Sequence, residues 1–303
     1  MLPQGEIPVY EQEKNTELKD SLIKSLQESG TPEDRVGRIM GVVETLLEND
    51  FLIDKISEEI VDEQEVWKHR LSRDDVTRRI RGSLFEEYAL ACRPEEKKQY
   101  ENLERFLLWS LRDPHMWFMD WHDTRLLSEE EKTQLEAYLA AYPTSEELET
   151  LYRNNDAISV NIKKDETTGK EVAVITGVIE AKNHRVFGKT QDARQMRSSP
   201  QILHDTVKRY KEAFPLIVKG LDLQGEIHMP DEIDILPIGQ LEYTIVQPDD
   251  VEEDYRRKPV SAQFSGCNFE YVPISRNEVA VLAEVLKQHV LDRLPEKNKR
   301  LVM

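Results

Sequence analysis

The chain has 303 residues, of which 39% are hydrophobic and 33% are charged, so it can build one large globular domain or two modest ones. No apolar run approaches the roughly 18 residues that a transmembrane helix needs, and no membrane span is predicted. The net charge of −18 opposes nonspecific binding to nucleic acid. The two cysteines, Cys92 and Cys267, form no CxxC pair, which argues against a disulfide framework or a zinc site and predicts a reducing cytoplasm.

The N-terminal part of the chain, residues 1–70, is predicted to be a helical extension. Thr31 and Pro32, followed by two acids, are typical of a helix start with threonine as the N-cap and proline at the first helical position. Apolar residues such as Val36 and Val43 then recur at helical spacing. This pattern favours a helical cap or dimerisation element over a specific binding function.

A second helical block leads to the centre of the chain. Ser72 and the acids that follow it predict a capped helix over about residues 73–92. Residues 94–153 are predicted to be a helical insertion, and its aromatic side chains are interpreted as core.

The stretch from Asp156 to Lys182 is predicted to form a β-hairpin. Alternating residues, a turn-rich segment with a glycine and the β-branched run Val172–Ile179 support two strands. The numbers of paired residues then sum to about 336, which sets Asp156 opposite Glu180. Lys182 shares the face of Glu180, because side chains alternate along a strand. Facing carboxylates repel each other, so this open end of the hairpin suggests a bound cation.

The remainder of the chain alternates between helices and strands. A helix is predicted over Thr190–Phe214, and another after the capping residue Ser275. Strands are predicted at Leu216–Val218, Glu226–Met229, Ile233–Pro237, Tyr243–Val246 and Phe264–Ile274. We therefore expect an α/β protein with a mixed central β-sheet flanked by helices, in which residues 71–303 form one domain.

Several of these features resemble the PD-(D/E)XK, or restriction-endonuclease-like, nuclease superfamily. Asp156 stands at the start of a strand, and Glu180-Ala181-Lys182 closes the next strand. Upstream, Gly82-Ser83-Leu84-Phe85-Glu86 is similar to the GxxFE helix that supplies a further acid in many members. Downstream, Gln195 lies on a helix similar to the one that often adds a polar active-site residue. The resemblance covers about residues 80–220.

The sequence also departs from the pattern of that superfamily. Asn155 replaces the proline that names the motif. The long separation between Glu86 and Asp156 requires a helical insertion inside the core.

The resemblance implies a metal-dependent nuclease that hydrolyses phosphodiester bonds, with DNA as the expected substrate. Glu86, Asp156 and Glu180 are the implied metal ligands, and their hard oxygen atoms suit Mg²⁺ or Mn²⁺. Lys182 is implied to orient the attacking water and to stabilise negative charge, and Gln195 to position water or a phosphate oxygen. The nucleic-acid backbone is expected to contact Arg185, Lys189, Arg194 and Arg197. A homodimer is expected if both strands of a duplex are cut.

The same residues also allow purely structural interpretations. Glu180 and Lys182 are compatible with an ordinary surface pair. Asp156 is compatible with a cap for the turn after Asn154 and Asn155.

The acidic positions elsewhere have alternatives too. Glu86 is compatible with a capping box that begins at Ser83, and Glu87 is a rival for the functional acid of the same helix. The acids of Asp231–Asp234 imitate a metal site, but the sequence offers no basic partner beside them.

Two other functions are compatible with the sequence. The acidic net charge and the extensive helical surface fit a noncatalytic interaction protein that retains the fold. The basic segment after Lys182 fits a nucleic-acid-binding protein without cleavage.

Overall fold

The computed structural model describes residues 9–67, 71–112, 126–140, 156–183, 190–220, 228–251 and 266–302. The helices are α1 (Val9–Glu28), α2 (Glu33–Leu47), α3 (Phe51–Trp67), α4 (Arg73–Ala91), α5 (Glu101–Arg112), α6 (Glu129–Ala140), α7 (Thr190–Gly220), α8 (Arg276–Arg293) and α9 (Glu296–Lys299). The strands are β1 (Ala157–Lys164), β2 (Glu171–Ala181), β3 (Glu232–Ile235), β4 (Glu242–Pro248) and β5 (Cys267–Val272). None of the described helices is long and apolar enough to span a membrane.

The sheet is organised around β2. β1 pairs with β2 in antiparallel fashion along one edge. On the other edge, β3 pairs in parallel with the first half of β2, and β4 pairs in parallel with the second half. β5 extends the sheet in parallel beyond β4. The result is the predicted α/β arrangement, a mixed, open sheet of five strands flanked by helices.

The hairpin of β1 and β2 has the predicted register at its open end. Ala157 pairs with Ile179, and Ser159 pairs with Gly177. The next pair is Val160 with Ile175, so Thr176 is an extra residue in β2 and forms a β-bulge. Because side chains alternate along a strand, this bulge turns the residues beyond it to the opposite face from the one they would otherwise take.

Two apolar clusters lie on the two faces of the sheet. The first joins helices α1–α4 and α8 to Ile179 and Ala181 near the end of β2. The second joins α5, α6 and α7 to residues such as Val178 of β2 and Ile245 of β4. The helices that precede residue 70 thus share an apolar core with the sheet.

A buried ion pair fastens α5 to the bulged part of the hairpin. Glu104 accepts a hydrogen bond of 2.9 Å from the backbone N–H of Val160, and its other oxygen accepts one of 2.9 Å from Arg93. Both side chains are almost completely buried. Glu104 therefore satisfies a backbone donor on the outer edge of β1 and limits pairing of that edge with another chain.

Of the N-cap residues predicted from the sequence, Ser72 and Ser275 are confirmed and Thr31 is not. Ser72 caps α4 and Ser275 caps α8, each in a capping box with the acid three residues later. Thr31 as the N-cap of α2 is wrong, because Pro32 occupies that position and makes no side-chain cap. The Pro32 carbonyl accepts the first helical hydrogen bonds, from Arg35 and Val36.

The predicted strand at Leu216–Val218 is also wrong, because α7 continues through it to Gly220. Ala213, Phe214 and Ile217 are buried in the second cluster at helical spacing, and a short apolar run does not by itself distinguish helix from strand. The predicted strand at Glu226–Met229 is not found in its described part, since His228 and Met229 lie outside the strands. The first two residues of that strand lie outside the described residues.

Candidate functional site

Asp156 is fixed at the open end of the hairpin. Its backbone N–H donates a hydrogen bond of 3.0 Å to the Ile179 carbonyl, which continues the β1–β2 ladder by one residue. Its carboxylate oxygen Oδ2 accepts a hydrogen bond of 2.6 Å from the backbone N–H of Ala181. The side chain therefore reaches across to the end of β2, while Asn154 and Asn155, the turn that Asp156 could cap, lie outside the described residues.

Glu180 is buried beside Asp156, with only 2% of its surface exposed. Its Oε1 forms an ion pair with the Lys182 ammonium, and its Oε2 accepts a hydrogen bond of 2.7 Å from the Tyr243 hydroxyl. Burial raises the pKa of Glu180 by more than Lys182 and Tyr243 lower it. The pair is thus an internal one, and the interpretation of Glu180 and Lys182 as an ordinary surface pair is wrong.

Lys182 remains a cation in this environment. Burial alone would lower its pKa, but the nearby carboxylates of Glu180 and Asp156 raise it by more, so the net shift is upward. Its backbone N–H donates a hydrogen bond of 2.8 Å to Val246, which carries the β2–β4 ladder to the end of the strand.

Glu86 comes to this site from α4. The helix is held by its buried face, which includes Leu84 and Phe85. Burial, and then the negative charge of Asp156, raise the pKa of Glu86 to about 8. Glu86 is also among the carboxylates that act on Glu180 and Lys182, so α4 brings a third acid into the electrostatic range of the hairpin end.

The contacts of α4 bear on two alternatives, a capping box at Ser83 and Glu87 as the functional acid. Ser83 and Glu86 both lie inside the helix, and the Ser83 hydroxyl donates to Glu59 of α3, so Ser83 does not start a capping box. Glu87 is buried, is hydrogen-bonded to Lys55 and lies 3.8 Å from Arg105. Glu87 is thus compensated by cations on α3 and α5.

Three residues at or near the site were not found from the sequence. Tyr243 and Gln247 both belong to β4, and side-chain alternation along the strand places them on the same face. Tyr243 contacts Glu180 from this face, and Gln247 is fully buried there. Lys55 of α3 lies 3.7 Å from Glu59 and lowers the pKa of Glu86. Only tertiary packing brings them here, since local sequence pattern carries no sign of β4 or α3 as partners of β2 and α4.

The structure describes only part of the predicted nucleic-acid contact. Arg185 and Lys189 lie outside the described residues. Arg194, Gln195 and Arg197 lie in the first turns of α7, where the backbone is described and the side chains are not. Their proposed roles stay predictions.

The acids of Asp231–Asp234 do have partners, contrary to the expectation from the sequence. Lys170 donates to Glu232 at 2.7 Å, and Lys211 donates to Asp234 at 2.8 Å. Asp231 accepts a hydrogen bond from the backbone N–H of Glu171. Each acid is compensated by a residue distant in sequence, so this segment is a poor rival to the hairpin end.

The donor set at the hairpin end has the chemistry of a site for a hard divalent cation. Glu86 lies within electrostatic range of both Asp156 and Glu180, and all three carboxylates act on the Lys182 ammonium. Among the residues that the structure describes, no three His, Cys, Asp or Glu side chains form a group that could hold a metal ion as they stand. Binding would therefore require these carboxylates to draw closer around the ion.

Comparisons of the chain with protein-family models, with curated proteins and with solved structures find no match in any of the three.

Proposed function

We propose that this protein is a metal-dependent nuclease that hydrolyses phosphodiester bonds in DNA. The observation that carries the proposal is the meeting of Asp156, Glu180 and Lys182 at the end of one hairpin, with Glu86 of α4 within electrostatic range. The residue types and their order along the chain are those of the PD-(D/E)XK pattern. The α/β architecture with β2 at the centre of a mixed sheet is compatible with this assignment.

Asp156, Glu180 and Glu86 would hold Mg²⁺ or Mn²⁺ through carboxylate oxygens. A bound divalent cation lowers the pKa of a coordinated water and neutralises phosphate charge. Lys182 keeps its proton beside these carboxylates and can donate a hydrogen bond to the water or to a phosphate oxygen as negative charge develops there. Its distance of two residues from Glu180 keeps the ammonium and the carboxylate on one face of β2.

The substrate would be held by the basic segment that follows Lys182. Arg185, Lys189, Arg194 and Arg197 precede or open α7, the helix that follows β2 in the chain. The net charge of −18 repels nucleic acid from the surface as a whole, so contact is expected to depend on this segment. Phosphate contacts of this kind make binding weaken as the salt concentration rises.

The test is cleavage of linear, circular and single-stranded DNA in the presence of Mg²⁺ or Mn²⁺. Lys182→Ala should abolish cleavage, because it removes the cation beside the reacting phosphate. Lys170→Ala is the matched control, since Lys170 forms an exposed pair with Glu232. This variant should cleave DNA like the wild type. Cleavage that survives Lys182→Ala, or that survives EDTA, would overturn the proposal.

One observation favours a second candidate function, a noncatalytic interaction protein. Both oxygens of Glu180 already have partners, Lys182 and Tyr243, as they would in an internal structural ion pair. Metal titration separates the two functions. If millimolar Mn²⁺ neither raises the melting temperature nor gives heat in calorimetry, the interaction protein becomes the better assignment.

A further inference from the structure

Tyr243 of β4 contacts the candidate site from a strand that the PD-(D/E)XK resemblance does not assign to it. In the parallel ladder, Tyr243 pairs with Val178, two residues before Glu180 on the same face of β2. The Tyr243 hydroxyl donates a hydrogen bond of 2.7 Å to Oε2 of Glu180. The pairing of β4 with β2 thus aims a side chain at the acid of the hairpin end.

The direction of this hydrogen bond is set by the chemistry of the two groups. A phenol O–H is a hydrogen-bond donor, whereas an ionised carboxylate can only accept, so the Tyr243 hydroxyl donates to Glu180. A carboxylate has about four acceptor positions on its two oxygens. Tyr243 occupies one position on Oε2 and Lys182 one on Oε1, which holds the plane of the carboxylate, and each oxygen has a second acceptor position by its chemistry.

We propose that Tyr243 is a positioning residue, which orients the Glu180 carboxylate for a divalent cation held together with Asp156 and Glu86. The inference rests on the proposed function, because it needs the cation site. It adds to that function a donor on β4 that neither the ExK motif nor the GxxFE helix supplies. Tyr243 acts through Glu180 and needs no contact with the substrate.

Tyr243→Phe tests the inference in the full chain, with Mn²⁺ alone as the probe. The substitution removes one oxygen and keeps the aromatic ring in the second apolar cluster. Loss of a partner that orients a ligand typically weakens metal binding by about 10–100-fold, and we expect a rise of that size in the calorimetric Kd for Mn²⁺. The electron paramagnetic resonance spectrum of bound Mn²⁺ at saturation should change as well, because the Glu180 ligand is no longer held in one orientation.

Tyr210→Phe is the matched control, because Tyr210 of α7 is a fully buried tyrosine of the same cluster whose hydroxyl is hydrogen-bonded to Ser110 of α5. It should leave the Kd and the Mn²⁺ spectrum unchanged. Melting in EDTA confirms that both variants fold. A merely structural role for Tyr243 would lower the melting temperature and leave the Kd and the spectrum as in the wild type.

The outcomes separate the inference from the function on which it rests. If the wild type binds Mn²⁺ and Tyr243→Phe binds it with the same Kd and spectrum, Tyr243 has no positioning role and the cation site stands. If Tyr210→Phe weakens binding as much as Tyr243→Phe, the effect is general destabilisation and the inference falls. If the wild type does not bind Mn²⁺, the proposed function and the inference fall together.

Discussion

The carboxyl group of Glu86 lies in surroundings that disfavour its negative charge. Burial removes the water that would solvate its charge, and Asp156 repels a second negative charge beside it. Both effects favour the neutral acid, and the raised pKa of about 8 keeps a proton on Glu86 at neutral pH. Under the proposed function, a bound cation would take the place of this proton.

The wild type should lose stability as the pH rises, because the folded protein must release the proton of Glu86, and Glu86→Gln should not show this loss. The folded pKa of about 8 lies above the ordinary 4.5, so the folded state binds the proton more tightly than the unfolded chain. The stability that this tighter proton binding contributes is fully present below about pH 4.5 and is lost as the pH rises through about 8. Relative to Glu86→Gln, the wild type should lose up to about 1.4 kcal/mol of unfolding free energy per pH unit in that window.

Urea unfolding in EDTA at several pH values from about 5 to 8 measures this difference. Glu58→Gln, at an exposed position of α3, should follow the wild type at every pH. If the free energy of unfolding changes with pH in the same way for Glu86→Gln and the wild type, the Glu86 carboxyl is ionised in the folded protein. Burial and Asp156 then do not raise its pKa.

The bulge in β2 decides which face of the sheet carries the candidate site. Ala173 and Ile175 before it, and Val178 after it, belong to the same apolar cluster although their numbers change from odd to even. Without Thr176 as an extra residue, Glu180 and Lys182 would point to the opposite face. The residue after the bulge is Gly177, and its backbone lies close to β4.

Gly177→Ala is expected to destabilise the protein by about 1–3 kcal/mol, the usual cost of overpacking. An added Cβ would lie 3.0 Å from the backbone oxygen of Glu242 and 3.4 Å from its Cβ. The oxygen belongs to the paired strand, so it cannot move without disturbing the β2–β4 ladder. Urea unfolding gives the change in free energy.

Gly82→Ala provides the comparison, because a Cβ at this position of α4 meets nothing within 4 Å. Alanine is the better helix former, and this variant should gain about 0.5–1 kcal/mol. If Gly177→Ala is as stable as the wild type, β2 and β4 are not packed as closely as described.

For the molecule as a whole, local patterns predicted more than long-range contacts. The strands, turn and open-end register of the hairpin follow from alternation and turn residues, and the caps of α4 and α8 follow from Ser72 and Ser275. The same patterns identify Asp156 and Glu180 as candidate site residues. The bulge at Thr176 has no such signal, and neither have Tyr243 or Lys55, because their positions depend on how distant elements pack.

Arg35 joins distant parts of the chain in one partly buried cluster of charges. From α2 it donates hydrogen bonds of 2.6 and 2.8 Å to Glu278 of α8, and of 2.6 and 2.9 Å to Asp249, which follows β4. Glu278 is 5% exposed and also caps α8 through Ser275. One guanidinium thus compensates the charge of both acids.

Arg35→Met is expected to cost about 3 kcal/mol near neutral pH, because it leaves the buried Glu278 carboxylate without its cation. Burial raises the pKa of Glu278, but Arg35 and Ser275 lower it by more, so the net shift is downward. A lowered folded pKa gives stability that is fully present above the ordinary 4.5 and is lost as the pH falls through the folded value. The difference between wild type and variant should thus be largest near neutral pH and shrink in acid, below about pH 4.5.

Urea unfolding at about pH 7 and about pH 3.5 measures the difference in unfolding free energy between the wild type and Arg35→Met near neutral pH and in acid. Arg38→Met is the control within the same helix, because Arg38 forms an exposed pair with Asp34 and should cost only about 0.3–0.5 kcal/mol. Equal losses for the two arginine variants would mean that Arg35 does not bind α8 and the segment after β4 to α2. A difference that persists unchanged in acid would assign the Arg35 effect to packing of its aliphatic stem instead of its charge.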